Sequence, residues 1–176
     1  MHRIASALAV AATLAVATPR AQAADGKPLQ LSLVDPIQIV PSREGISGFG
    51  FNLIYGKNAF LHGAELGIAN HVTGDVKGVQ LGLVNITGGS FVGWQAGAVN
   101  ITSGSFEGFQ SAWIVSTAKS VSGVQFSLVN HAEHVHGLQL GLVNHTVTMN
   151  GIQIGLVNII ERGGWLPVCV IVNGSL

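Results

Sequence analysis

Charge is scarce in this chain: charged side chains make up 9% of its 176 residues, and eight basic residues balance eight acidic ones. Soluble domains typically carry about a quarter. Neutrality without a basic patch argues against nucleic acid as a partner. Cys169 is the only cysteine, which excludes an intramolecular disulfide. It stands in Pro167-Val168-Cys169-Val170, without the flanking glycines of a nucleophile elbow, and is expected to be a buried thiol. Aromatic residues reach 6%, few for the interfacial girdles of an outer-membrane barrel. The apolar stretch from Ile4 to Thr18 is too short to favour a bilayer span, and no cysteine near it could take a lipid.

What the chain does contain is glycine, 24 residues of it, within a sequence that is 48% apolar. The glycines are ordered. The octapeptide Gly-x-Gln-x-Gly-x-x-Asn recurs with leading residues Gly48, Gly63, Gly78, Gly93, Gly108, Gly123, Gly137 and Gly151, a period of fifteen and later fourteen residues. The clean copies begin at Gly78, Gly93, Gly137 and Gly151. An apolar residue stands two positions before each leading glycine: Ile46, Leu61, Val76, Phe91, Phe106, Val121, Val135 and Met149. Within the motif apolar residues alternate with Gln and Gly, as in Val79, Leu81 and Leu83, which is strand periodicity. Segments such as Thr87-Gly88-Gly89-Ser90 and Thr102-Ser103-Gly104-Ser105 supply turns and absorb the lost residue.

The expected fold is all-β, a parallel β-solenoid of about eight to nine coils of 14–15 residues. Stacking at about 4.8 Å lays each coil's amides over those of the one before, and roughly 43 Å of solenoid results. The proposed ladders are Gln80, Gln95, Gln110, Gln125, Gln139 and Gln153, and Asn70, Asn85, Asn100, Asn130, Asn144 and Asn158. The second glycine is assigned to close approach of a neighbouring backbone. The apolar positions between the amides are assigned to the core, with Trp94, Phe109 and Trp113 as core or wall fillers. The alternative is an antiparallel outer-membrane β-barrel, but reversed neighbours would not set Gln against Gln, so nothing would favour identical copies.

Met1-His2-Arg3, the Ala, Leu and Val stretch and Ala21-Gln22-Ala23 have the form of an export signal, so residues 1–23 are read as a signal peptide with maturation at Ala24. Residues 24–45 are expected to form capping strands, and 46–176 the repeat domain, with Pro167 helping to close its far end. The expected location is a bacterial periplasm, outer membrane or cell surface.

The lead-in Leu29-Gln30-Leu31-Ser32-Leu33-Val34-Asp35-Pro36-Ile37-Gln38-Ile39, the repeats and the closing Gly164-Trp-Leu-Pro-Val-Cys-Val-Ile-Val-Asn173 together resemble an uncharacterised family of bacterial surface-repeat proteins, known from leptospiral examples. That family brings no established activity. The shared Gln-x-Gly-x-x-Asn is also similar to curlin fibre repeats, although the period here is shorter and the strands are more apolar. This copy departs from the pattern between Ser111 and Val115, where an interrupted Asn ladder is expected.

Candidate chemistry is thin. His131 and His145 follow Asn in adjacent coils, with His134 and His136 in the turn between them, a set able to hold zinc, copper or nickel; His71 fills the same slot elsewhere, so a tolerated position is the simpler reading. Glu65, Asp75, Glu107, Glu133 and Glu161 are read as solvated turn charges. No cofactor, metal or catalytic residue is assigned. The expected function is a non-enzymatic structural or adhesion-type surface protein of the envelope, its partners envelope or host surface components or copies of itself. Membrane barrel and curlin-like fibre subunit are the alternatives.

Overall fold

In the computed structural model residues 26–175 are described; the signal peptide assigned to 1–23 lies outside them. The strands are β1 (Lys27–Val34), β2 (Ile37–Gln38), β3 (Ile46–Asn58), β4 (Leu61–Val72), β5 (Val76–Thr87), β6 (Phe91–Phe126), β7 (Val129–Leu140), β8 (Val143–Arg162) and β9 (Val168–Ser175). They form a parallel β-solenoid of about nine turns, not a barrel, and the described residues contain no helix. β6 is long because it runs through more than two coils without a break.

Register shows why the repeats are alike. Gly78 pairs with Gly93, Gln80 with Gln95 and Asn85 with Asn100, and the same match of like with like holds from β7 to β8. From β4 to β5 the Gly and Asn positions match while Glu65 faces Gln80; from β3 to β4 only the leading glycines of the motif match, with Gly50 opposite Glu65 and Gly56 opposite Asn70. In parallel pairing every side chain meets its own counterpart one coil away. The pairing of β5 with β6 passes from Leu81↔Ala96 to Val84↔Val99, and there the chain bends at the two apolar residues before Asn.

Each leading glycine has positive φ, from 126° at Gly108 to 155° at Gly48. A methyl group on any of these from Gly63 onward would overlap the carbonyl oxygen of the glycine one coil earlier. No L side chain fits there.

The two faces are reversed from the sequence expectation. Inside lie the Gln and Asn side chains, all of the ladder residues buried, with the apolar residue two before each glycine: Ile46, Leu61, Val76, Phe91, Phe106, Val121, Val135 and Met149. Phe91 and Phe106 stack with ring centroids 5.1 Å apart. Outside lie the apolar positions between the amides, including Leu66, Ile68, Leu83, Phe126, Leu128, Leu142, Ile154 and Leu156. Trp94, Phe109 and Trp113 are likewise exposed, Trp113 by 74%. Alternation defines two faces without saying which is interior. Here the amides satisfy one another across coils, which removes the usual cost of burying them.

A reversed strand lies at each end. β9 pairs antiparallel with β8 from Gly151 to Ile159, while the two-residue β2 pairs antiparallel only with the Ser32–Val34 end of β1. Pro167 sits beside the last coil, its carbonyl accepting from Ile160 N at 3.1 Å. Cys169 is half-buried between the exposed Val168 and Val170, not buried as expected, because β9 covers the end of the stack and has nothing beyond it.

Candidate functional site

The ladders are the most ordered polar feature of the molecule. Each glutamine donates its Nε2 to the previous coil: Gln95 to Gln80 at 2.9 Å, Gln110 to Gln95, Gln125 to Gln110, Gln139 to Gln125 and Gln153 to Gln139 each at 2.8 Å. The asparagines donate the other way. Asn70 Nδ2 donates to Asn85 at 2.9 Å, Asn85 to Asn100, Asn130 to Asn144 and Asn144 to Asn158 each at 2.8 Å. The second amide proton of each Asn goes to a backbone carbonyl of the next coil, such as Leu81, Ala96 or Leu140, which sets the amide's orientation. The two rows of dipoles therefore oppose one another, and within each row successive bonds polarise their neighbours.

The second glycine of the motif is explained by the same row. A Cβ at Gly82 would lie 2.6 Å from Asn70 Nδ2 and 2.7 Å from Gly67 O. The previous coil's carbonyl and the Asn amides together fill the space a side chain would need; at Gly97 and Gly141 the carbonyl oxygens of Gly82 and Ser127 are nearer still, the close backbone approach expected of this glycine.

The glutamine ladder ends on Glu65, and this corrects its reading as a solvated turn charge. Glu65 is 1% exposed and occupies the Gln slot of its coil. It accepts from Gln80 Nε2 at 3.0 Å, Asn52 Nδ2 at 2.7 Å and Asn58 Nδ2 at 2.9 Å. Burial pushes its carboxyl above the usual carboxylate range, and the three amide donors draw it part of the way back. Its alignment two residues after Gly63 marks the slot in the sequence. Gly50, paired with Glu65, leaves room beneath it, since a Cβ there would meet Glu65 Cγ at 3.3 Å. Gln30 is a buried amide that the repeat pattern missed; it donates to Asn58 Oδ1 at 3.2 Å and exchanges hydrogen bonds with Val40. Among the other carboxylates Asp75, Glu107, Glu133 and Glu161 are exposed.

The Asn ladder breaks at the irregular coil, and the register shows how. Val115 pairs with Val129 and Ser116 with Asn130, so Ser116, not Val115, fills the Asn slot. One residue is added between Gly108 and that slot, and one is lost from the turn that follows. Ser116 Oγ is buried without a hydrogen-bond partner among the described residues. Asn100 keeps the usual bond to the next coil's carbonyl, Ser111 O at 2.6 Å, but has no amide to donate to at Ser116, and Asn130 Oδ1 accepts instead from Ser127 Oγ at 2.6 Å.

His131 and His145 stack as their spacing predicts, with ring centroids 4.9 Å apart and planes 9° from parallel; their Nδ1 atoms lie 2.8 Å apart. His145 Nε2 is 3.0 Å from Glu161 Oε1, and His134 Nδ1 is 2.7 Å from Thr148 Oγ1. His136 is placed opposite Asn150 and does not join them. Among the described residues no three His, Cys, Asp or Glu side chains converge as metal ligands. His71, in the same slot, meets the Tyr55 hydroxyl at 2.7 Å; burial and Lys57 lower its pKa against an opposing effect of Asp35.

The irregular coil also shapes the outer face. Ala96 and Ser111 stand where other coils place Leu81 or Phe126, and a cleft of about 460 Å³ opens between Leu81 and Leu83 on one side and Phe126 on the other, with Phe109 and Trp113 also lining it. A second hollow of about 490 Å³ lies between Trp113, Phe126, Leu128 and Leu142. No charged side chain lines either one.

No family model matches the chain, and no curated protein or solved structure matches it.

Proposed function

We propose that this chain is an exported, non-enzymatic structural or adhesion-type protein of the bacterial envelope, and that its working surface is the outward apolar face of the solenoid. The observation that carries the reading is the inversion of the usual arrangement: amides fill the interior while Leu66, Ile68, Leu83, Leu128, Ile154 and Leu156 face outward in register. Apolar patches of more than a few hundred Å² on a soluble chain mark contact surfaces. Solenoids present such surfaces as long regular faces. The form of residues 1–23 and the resemblance to surface-repeat proteins support export. The reversed end strand β9, antiparallel along β8, weighs against a curlin-like fibre, because an added parallel coil would not continue the like-with-like register at that edge.

The test expresses the full chain in a bacterium with an outer membrane, then measures cleavage, fractionation and retention on an octyl-coated surface. Cleavage before Ala24, recovery from the envelope or medium, and strong retention are expected. Replacing Leu66, Ile68, Ile154 and Leu156 with Gln should cut retention at least tenfold without changing the circular dichroism. Uncleaved protein held in the cytoplasm overturns export, and unchanged retention overturns the role of the face.

A further inference from the structure

We propose that the cleft at the irregular coil is a binding site for a single fatty acyl chain, presented as a free fatty acid. The inference deepens the apolar-face reading and rests on it. The site originates in departures from the repeat. Ala96 and Ser111 replace the large outward residues that Leu81 and Phe126 represent in neighbouring coils, and Trp113 projects outward beside them. The floor is Ala96, Gly97, Ser111 and Ala112, and the volume, about 460 Å³, is that of a small-ligand pocket. The hollow beyond Trp113 shares Ala112, Trp113 and Phe126 with it, so a flexible chain can pass from one to the other around the indole.

The lining selects the occupant. It carries no charge, and its hydroxyls are those of Ser111 and Ser127. Ser127 already commits its single hydroxyl proton to acceptors within the protein, Asn130 Oδ1 at 2.6 Å and Val129 O at 2.8 Å, which share it. A peptide laid in the cleft would bury amides without partners, which is costly. A second copy of the flat face is held off by Trp113, which stands out from a sheet whose partners normally pack about 10 Å away. A slender hydrocarbon meets neither obstacle. Its carboxylate remains in water at the open side, so no cation is required of the protein.

Trp113 reports on the site directly. In a Trp94→Phe/Trp165→Phe variant it is the sole tryptophan, and its fluorescence is titrated with stearic acid carrying a nitroxide on mid-chain carbon. Saturable quenching at one ligand per chain is expected. Ala96→Leu/Ser111→Leu restores the side chains that regular coils carry at these positions; it should weaken quenching at least tenfold while leaving the circular dichroism and urea midpoint unchanged. Linear, unsaturable quenching, or saturable quenching that survives the filled cleft, overturns the site. Quenching by nitroxide-labelled phosphatidylcholine vesicles but not by the fatty acid also overturns it and identifies membrane adsorption. If the site fails while retention on the octyl surface still depends on Leu66, Ile68, Ile154 and Leu156, the apolar-face reading stands; loss of both results removes it as well.

Discussion

Gln80 donates to the carboxylate of Glu65 at 3.0 Å, and that bond ends a row of glutamine amides on an acceptor that has no proton to give when ionised. The other two donors to Glu65, Asn52 and Asn58, are amides as well. A buried carboxylate is thus held by dipoles alone, at the end of a ladder whose donors all point toward it.

The pH dependence follows from the direction of the Glu65 shift. Burial raises its folded pKa above the unfolded value near 4.5, so the native state binds the proton more tightly. Its contribution to stability is fully present below that value and is lost as pH rises toward the raised pKa. The urea midpoint should fall across this range and then level off. In Glu65→Gln this component of the slope should vanish, and a slope equal to the parent's would show that Glu65 is not its source. Glu65→Ala leaves three buried donors unsatisfied, at about 1–3 kcal/mol each, and should destabilise the fold strongly at every pH.

Position along the ladder should set the cost of breaking it. Gln110→Leu strands Gln125 Nε2 and leaves Gln95 Oε1 only the long bond from Thr102 Oγ1 at 3.5 Å, for a loss of about 2–5 kcal/mol. Gln153→Leu removes an amide whose Oε1 is already without a partner among the described residues; it takes a donor from Gln139 Oε1 and from the Ile159 carbonyl, and lost bonds at acceptors are tolerated better than a stranded N–H. Urea denaturation of the two variants should rank Gln110→Leu as clearly the more damaging. Equal losses would show that the ladder bonds act independently of their neighbours.

The two motif glycines should differ sharply. Gly93 has φ of 132°, and a methyl there meets the Gly78 carbonyl; strain alone costs about 1–3 kcal/mol, and overlap with backbone adds to it. Gly93→Ala should abolish or nearly abolish folding. Gly97→Ala brings its methyl against the Gly82 carbonyl oxygen and within 2.8 Å of the Asn85 amide, yet φ at Gly97 is not positive and Ala112 occupies the equivalent slot, so a smaller loss of about 1–3 kcal/mol is expected. Circular dichroism and urea midpoints separate the two.

Ala112 and Ser116 should be coupled. In regular coils the Asn amide fills the space beside the second glycine; here Ala112 fills that space and Ser116 has no amide to put there. Ser116→Asn alone should destabilise by crowding Ala112. With Ala112→Gly added, the new amide can join Asn100 to Asn130 and recover that loss. A double-mutant cycle should give a favourable interaction of about 1–2 kcal/mol, and strict additivity would refute the link.

Much of this was legible before any coordinates. Gln80 to Gln153 were readable as one row because only parallel stacking gives a reason for identical copies. Glu65 is masked in the sequence because its charge places it among turn carboxylates, although its distance from Gly63 puts it in the Gln slot. Ser116 was missed because an added residue and a shortened turn cancel, leaving the glycine spacing unchanged. Gln30 lies outside the repeat and had no pattern to mark it.

By itself the sequence determined the period, the strands, the bend before Asn and the parallel register, since each follows from local alternation and repetition. The tertiary structure decided which side is interior. Leu81 and Gln80 alternate equally well with either one buried; stacking satisfies the Gln80 amide through Gln95 and Glu65 one coil away, and this frees the apolar side chains to form the outer surface. It also decided the fate of Trp113, an indole that alternation assigns to the core, which lies outside with Leu83, Leu128 and Leu142 because that whole side of the strand is the outer one.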